Sequence, residues 1–229
     1  MATMKPYYEH AGITIYHGDC REILPGLKAD SVVTDPPYKL SQEYGSSVDA
    51  DNLMAVASIA WIAPLLLKAV KPGGLAAVFY DTRILPFALD VFRKSGWRYT
   101  RNLTFYRRWG SACKMHGWMS TSDFVLLFQS PGDKERYYGQ TFHDVFVKQG
   151  PENNSYDHPA QKPVEFVSQV VQTITQPHGM VLDPYMGSGT TLVAAKLLGS
   201  RAIGIEIEER YCEIAAKRLS HEALPLEVA

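Results

Sequence analysis

The 229-residue chain has only three cysteines, Cys20, Cys113 and Cys212, far apart and odd in number. That excludes a disulfide framework and a cysteine cluster of metal-ligand spacing, so reduced thiols, a cytoplasmic setting and no metal are expected. No apolar run is long enough to span a membrane, and the N-terminus lacks a basic-then-apolar leader pattern, so no membrane partner is expected. Internal repeats and low-complexity tracts are missing too, which argues against a solenoid or a linker array. What remains, with 46% apolar residues and mixed charge, is a globular chain long enough for one sizeable domain or a domain with an insertion.

Acidic residues are missing from one stretch. Between residues 91 and 122 the chain carries Arg93, Lys94, Arg98, Arg101, Arg107, Arg108 and Lys114 and no Asp or Glu. The net charge of -1 hides this, because outside the segment 16 of the 23 basic residues face all 24 acidic ones. A basic segment on an acidic chain points to a localised polyanion contact, and a solvated charged face explains the same composition equally well.

The hydrophobic pattern alternates between short β-branched runs and helical periods. Strands are expected at 13–16, 31–34, 75–80, 123–129, 180–183 and 201–206. Helical patterns cover 21–27, 52–71 (kinked or divided by Pro64), 84–94, 163–175, 192–198 and 208–219. Strand and helix in succession predict an α/β fold with a parallel sheet. The polar, turn-rich residues 41–47 read as a mobile loop and a lid, or as a plain connector. Residues 97–109 are aromatic and basic, an extended strand running into a loop. Residues 130–157 have no helical period and are expected as an insertion outside the sheet.

Two stretches carry chemistry. Asp35-Pro36-Pro37-Tyr38 follows the strand Ser31-Val32-Val33-Thr34, and the two prolines stop it because neither donates a ladder hydrogen bond. A carboxylate, carbonyls with no local donor and an aromatic ring meet at one rigid turn, which suits a planar amine. The second stretch, Asp183-Pro184-Tyr185-Met186-Gly187-Ser188-Gly189-Thr190-Thr191, is a strand, a glycine turn and a helix start. Its glycines allow close backbone approach to a ligand, and Thr190 or Thr191 can cap the helix. Glu206 ends the next strand, where an acid binds ribose hydroxyls, so the pair favours an adenosine-type ligand; a helix N-terminal charge explains Glu206 equally. Gly18-Asp19 ends the first strand, beside Cys20. A dinucleotide oxidoreductase would account for Gly187-Ser188-Gly189 but leaves residues 35–38 without a role.

Asp35-Pro36-Pro37-Tyr38 and residues 183–191 together resemble the catalytic and cofactor motifs of the amino-group DNA methyltransferases. The order, catalytic motif first, is similar to the circularly permuted β group. His158-Pro159-Ala160-Gln161-Lys162-Pro163 resembles the segment preceding the cofactor motif there, and Gly204-Ile205-Glu206-Ile207 with Tyr211 and Glu213 resembles the ribose-binding segment. The resemblance implies a single domain (1–229) with a Rossmann-like, circularly permuted S-adenosylmethionine-dependent methyltransferase fold, its mostly parallel sheet covered by helices on both faces. It implies S-adenosylmethionine as cofactor and S-adenosylhomocysteine as product. Asp35, Pro36, Pro37 and Tyr38 are then catalytic. Asp19, Cys20, Asp35, His158, Lys162, Asp183, Tyr185, Met186, Gly187, Ser188, Gly189, Thr190, Thr191, Glu206 and Ile207 bind the cofactor. Tyr106, Arg107, Arg108, Trp109 and Lys114 contact double-stranded DNA, with 105–157 as a small target-recognition insertion.

Adenine N6 is the favoured target, because Asp-Pro-Pro-Tyr usually accompanies it in the family; cytosine N4 is the alternative. So, from another class, is a catalytically silent cofactor-dependent DNA-binding protein. Where relatives carry Trp-x-Lys, this chain has Tyr106 and Arg108. The short recognition region implies a short site, relaxed specificity or a homodimer that shares the reading. A bacterial cytoplasm or a phage-infected host is the expected setting, with or without a restriction partner.

Overall fold

The computed structural model describes residues 5–37, 48–107, 114–115, 118–119, 121–132, 137–148 and 162–220. Their strands are β1 (Tyr8–His10), β2 (Ile13–His17), β3 (Ser31–Thr34), β4 (Leu75–Tyr80), β5 (Arg98–Arg107), β6 (Lys114–Met115), β7 (Trp118–Met119), β8 (Ser122–Gln129), β9 (Val145–Lys148), β10 (Met180–Asp183) and β11 (Arg201–Glu206). The helices are α1 (Cys20–Ile23), α2 (Val48–Ala69), α3 (Leu85–Lys94), α4 (Val164–Ile174), α5 (Thr190–Leu197) and α6 (Glu209–Ser220). Nine strands form one sheet in the order β1-β2-β11-β10-β3-β4-β8-β5-β9, and β6 and β7 pair as a separate hairpin. The run from β2 to β4 is parallel, while β1 and β8 oppose their neighbours.

The short β-branched runs form strands because both of their faces are covered. Along β4, Leu75, Ala77 and Phe79 enter a core with Phe166 and Val170 of α4, Leu192 of α5 and Ala215 of α6. The alternate residues Ala76, Val78 and Tyr80 enter a second core with Ile59, Ile62 and Leu66 of α2 and Phe92 of α3. Phe92 stacks on Phe128 of β8 with centroids 4.2 Å apart. Helices therefore lie on both faces, and an apolar run with no polar alternation is what such a sheet needs.

Three expectations change. Pro64 neither divides nor ends α2, which runs unbroken from Val48 to Ala69. Pro64 and Ala60, whose carbonyl loses its helical donor to the proline, both face solvent, where water satisfies that carbonyl at little cost. The Trp97 indole donates to the Ala63 carbonyl at 2.9 Å and ties down the neighbouring turn. Second, residues 130–157 do not lie wholly outside the sheet, because β9 pairs in parallel with β5 at its edge. The wider segment 105–157 also supplies β8, which sits between β4 and β5. Third, β1 adds an unforeseen edge strand, paired to β2 through Ala11 and Gly12 at positive φ.

This architecture sets the place of chemistry. From β10 the chain passes through α5 to β11 on one side; from β3 it passes through α2 to β4 on the other. β10 and β3 are adjacent and parallel, with Leu182 opposite Val32. Their carboxyl ends flank the point where the winding reverses, and crevices at such points take ligands.

Candidate active site

Asp35 leaves β3 at that crevice. It is half-buried, Pro36 behind it is buried and Pro37 is exposed. Without an N–H on either proline, the chain cannot extend the ladder, and the turn presents the carboxylate at the strand end. Asp35 Oδ2 lies 3.1 Å from Lys162 Nζ, with side chains 28% and 15% exposed respectively. The Lys162 ammonium also sits 5.2 Å from the centroid of the Phe79 ring. Burial works against its charge, but the Asp35 and Asp123 carboxylates outweigh that and hold its pKa above the usual lysine value. Tyr38, the expected ring of this motif, lies outside the described residues, as do His158, Arg108, Trp109 and the loop at 41–47.

Across the crevice Asp183 ends β10 and is buried. The Tyr185 N–H donates to its Oδ1 at 3.1 Å. Its carboxyl is raised to about 7, chiefly by burial, and the Asp35 charge adds to the rise. The Thr191 hydroxyl and the Tyr185 N–H offset part of this, and the Thr34 hydroxyl, nearby but without a hydrogen bond of full geometry, offsets a little more. The buried Asp183 carboxyl is therefore easily protonated, and part of that comes from the half-exposed, lysine-paired Asp35 at the end of the neighbouring strand.

The glycine turn separates the roles of its two glycines. Gly189 precedes α5 at φ 80°, and a Cβ there would stand 2.7 Å from Ala215 Cβ, so packing against α6 demands glycine. Gly187, at φ 50°, has open space where its Cβ would be. Its N–H donates to Glu206 Oε2 at 2.9 Å, and the Glu208 N–H donates to Oε1 at 2.9 Å. Glu206 is thus a carboxylate at the crevice whose two oxygens accept backbone N–H groups, one from the glycine turn and one from the turn into α6. Burial raises its pKa, which the backbone donors counter. The Gly18 N–H bonds the Glu206 carbonyl at 2.8 Å, and His17 Nε2 lies 3.1 Å from the Ile207 carbonyl, so β2 is stitched to this edge. Ile207 is exposed there. An acid for hydroxyls, a glycine backbone in open space and an apolar side chain fit a nucleoside with a charged tail.

Other expected residues are placed less directly. Asp19 caps α1 through the Arg21 N–H at 2.8 Å and pairs with the Arg21 guanidinium. Cys20 is buried against the Tyr185 hydroxyl, and burial raises both of their pKa values. Met186, Ser188, Thr190 and Thr191 are buried within the turn and the start of α5. On the basic segment, Lys94 pairs with Asp90, Arg101 with Asp144 and Arg107 with Asp123. Tyr106 is 36% exposed, whereas Phe105 is core, stacked on Phe166.

Arg218 of α6 is a contributor that sequence reasoning missed. Its Nη1 donates to the Ser188 carbonyl at 2.6 Å and lies 3.2 Å from Ser188 Oγ and 3.3 Å from Thr190 Oγ1. It ties the glycine turn to the last helix. No motif marks it, since an arginine near a helix C-terminus reads as a dipole partner.

The family described as DNA methylase, N6_N4_Mtase, has a model that matches residues 29–217. The chain belongs to this DNA methylase family. Among its relatives is the Type II methyltransferase M2.LlaDCHI of Lactococcus lactis subsp. cremoris, 28% identical over 252 residues, covering 96% of this chain and 93% of the relative. Another, M2.DpnII of Streptococcus pneumoniae, is 28% identical over 251 residues, covering 95% and 93%. The crystal structure of the M1.HpyAVI-SAM complex superposes with a TM-score of 0.73 at 28% identity, covering 91% of this methylase and 99% of that chain. The cytosine-N4-specific PvuII DNA methyltransferase shares the fold, with a TM-score of 0.76 at 18% identity over 97% and 91% of the two chains. Among the described residues of the methylase, no helix is long and apolar enough to cross a membrane.

Proposed function

We propose that this methylase transfers a methyl group from S-adenosylmethionine to the exocyclic N6 amine of an adenine in double-stranded DNA. The observation that carries the reading is the pairing, across the switch point of the sheet, of a lysine-held Asp35 on a double-proline turn with the Asp183–Glu206 crevice. Asp183, Tyr185, Met186, Gly187, Ser188, Gly189, Thr190, Thr191, Glu206 and Ile207 would hold the cofactor, with Asp19 and Cys20 nearby; His158 joins them by motif alone. When bound, S-adenosylmethionine supplies a methyl on positively charged sulfur.

Asp35 and the Pro36 carbonyl accept the two hydrogens of the target amine. An aromatic amine is a poor nucleophile because its lone pair is delocalised into the ring. Accepting both hydrogens favours the pyramidal nitrogen and aims the lone pair. The protein's contribution is positioning and electrostatics. The target base is stacked in duplex DNA and must be flipped out to reach Asp35; Tyr38 is the proposed stacking partner. Tyr106, Arg108, Trp109 and Lys114 are the proposed DNA contacts, within the recognition segment 105–157, whereas Arg107, expected among them, is engaged by Asp123. The β-group assignment is supported by Asp35 preceding Asp183 in the chain. A homodimer and a bacterial or phage-infected cytoplasm belong to the same proposal.

The test is mass spectrometry of nucleosides from unmethylated DNA incubated with the purified chain and cofactor. N6-methyladenine is expected. N4-methylcytosine would overturn the choice of base, and no methylated nucleoside would overturn the enzymatic reading in favour of a silent DNA-binding protein. In the same framework Arg218→Met is expected to weaken S-adenosylhomocysteine binding about tenfold, the worth of roughly one hydrogen bond. Isothermal titration checks it, and an unchanged affinity would leave Arg218 with a purely structural part.

A further inference from the structure

Lys162 belongs by motif with the cofactor residues, yet its contacts lie elsewhere. Its ammonium meets Asp35 after β3, the Phe79 ring on β4 and the field of Asp123 on β8. In the strand order these lie on the opposite side of β10 from β11, which carries Glu206. Asp123 in turn pairs with Arg107 Nη2 at 3.3 Å, and Arg107 Nε is buried without a hydrogen-bond partner, so this guanidinium is turned inward. Charge alternates along Asp35, Lys162, Asp123 and Arg107, from the strand end of the catalytic motif to the last residue of β5, where the segment 105–157 leads on.

We propose that Lys162 is a positioning residue for methyl transfer, holding Asp35 through Oδ2 and linking it through Asp123 to Arg107. The proposal rests on the reading of Asp35 as the acceptor for the target amine. The two prolines fix the backbone of the turn, but the aspartate side chain still has two rotatable bonds. A misplacement of about 1 Å at a reacting group costs about 10²-fold in rate, so the rotamer of Asp35 is worth holding. An ammonium held against an aromatic face, in the field of a second carboxylate, is a stiff anchor for it. Removing one member of such a chain leaves its neighbours without their compensating charge.

The experiment compares full-length K162M, K162Q and K162R with the unchanged protein in single-turnover methyl transfer and in S-adenosylhomocysteine titration. Methionine keeps an apolar stem over Phe79 and removes the charge; glutamine serves as the second neutral variant if K162M folds poorly. Both are expected to lower the single-turnover rate about 30-fold, below the limit for a full 1 Å misplacement, and to change S-adenosylhomocysteine affinity less than threefold. K162R, which can still pair with Asp35, is expected to regain most of the rate. D35N is run alongside. If D35N retains transfer, the reading of Asp35 falls. If D35N abolishes transfer while K162M and K162Q match the unchanged protein, the Lys162 proposal alone falls. Cofactor affinity that drops in step with the rate would also overturn it, returning Lys162 to the cofactor site.

Discussion

Asp35→Ala is expected to lower methyl transfer by about 10³-fold or more while S-adenosylhomocysteine still binds. A positioned acid–base or electrostatic group contributes typically about 10²–10⁴-fold, and Asp35 is the carboxylate that the double-proline turn sets at the crevice. Its loss would also leave the Lys162 ammonium, with a side chain 15% exposed, short of its partner. That costs stability, because an unpaired charge in a mostly buried site is the unfavourable case. Asp35→Asn separates the two effects: it keeps the shape and one acceptor oxygen but loses the ion pair. The measurement is tritiated-methyl transfer under single-turnover conditions, with cofactor affinity and the unfolding midpoint recorded on the same preparations. Retained transfer in a folded Asp35→Ala protein would remove Asp35 from the chemistry. Parallel loss of cofactor binding would move it to the cofactor site.

The parts of the site that were legible in the sequence are those whose residue type is forced by backbone geometry. Pro36 and Pro37 had to end a strand, and Gly187 and Gly189 had to turn, so the elements around Asp35 and Asp183 could be placed from local rules. Strand β11 runs from Arg201 to Glu206, the two charged residues that bracket its apolar run. Long-range partners were not legible. The pairing of Asp35 with Lys162 spans most of the chain, and its location depends on which strands flank β10. The same holds for Arg218, which reaches the glycine turn only because α6 packs over α5 next to Gly189. The expectation of a division of α2 at Pro64 failed because the proline rule is local, whereas its cost is decided by which face of α2 meets water. Residues 145–148 gave no strand signal strong enough to outweigh the surrounding turn residues, and their pairing with β5 is a tertiary outcome. The absence of acid between 91 and 122 is local to that stretch of chain. It concealed that Arg107 and Arg101 find their carboxylates on β8 and just before β9.

Cofactor affinity is expected to rise about tenfold per pH unit between pH 5.5 and 6.5 and to level off above 7. Burial pushes the Asp183 carboxyl up to about 7, while in an unfolded chain an aspartate titrates near 4. The folded protein therefore keeps a proton on Asp183 through a window in which the unfolded chain has lost it. The stability this group contributes is full below about pH 4 and is lost as pH rises through 7. S-adenosylmethionine is a net cation in this window, since its sulfonium is permanent and an α-amino group stays protonated below about 7.7. A cation beside Asp183 favours the carboxylate, so binding a full pH unit or more below the Asp183 pKa must release close to one proton, and affinity follows the ionised fraction. Calorimetry at pH 6 in buffers of different ionisation enthalpy counts that proton directly. Asp183→Asn should lose both the proton release and the slope, bind weakly at all pH values, and unfold at a higher temperature than the unchanged apoprotein at pH 8. Glu206, whose carboxyl is also raised by burial, is separated by Glu206→Gln, which should leave the slope in place. A flat affinity across pH 5.5–6.5 with no proton released would place the cofactor's positive charge away from Asp183.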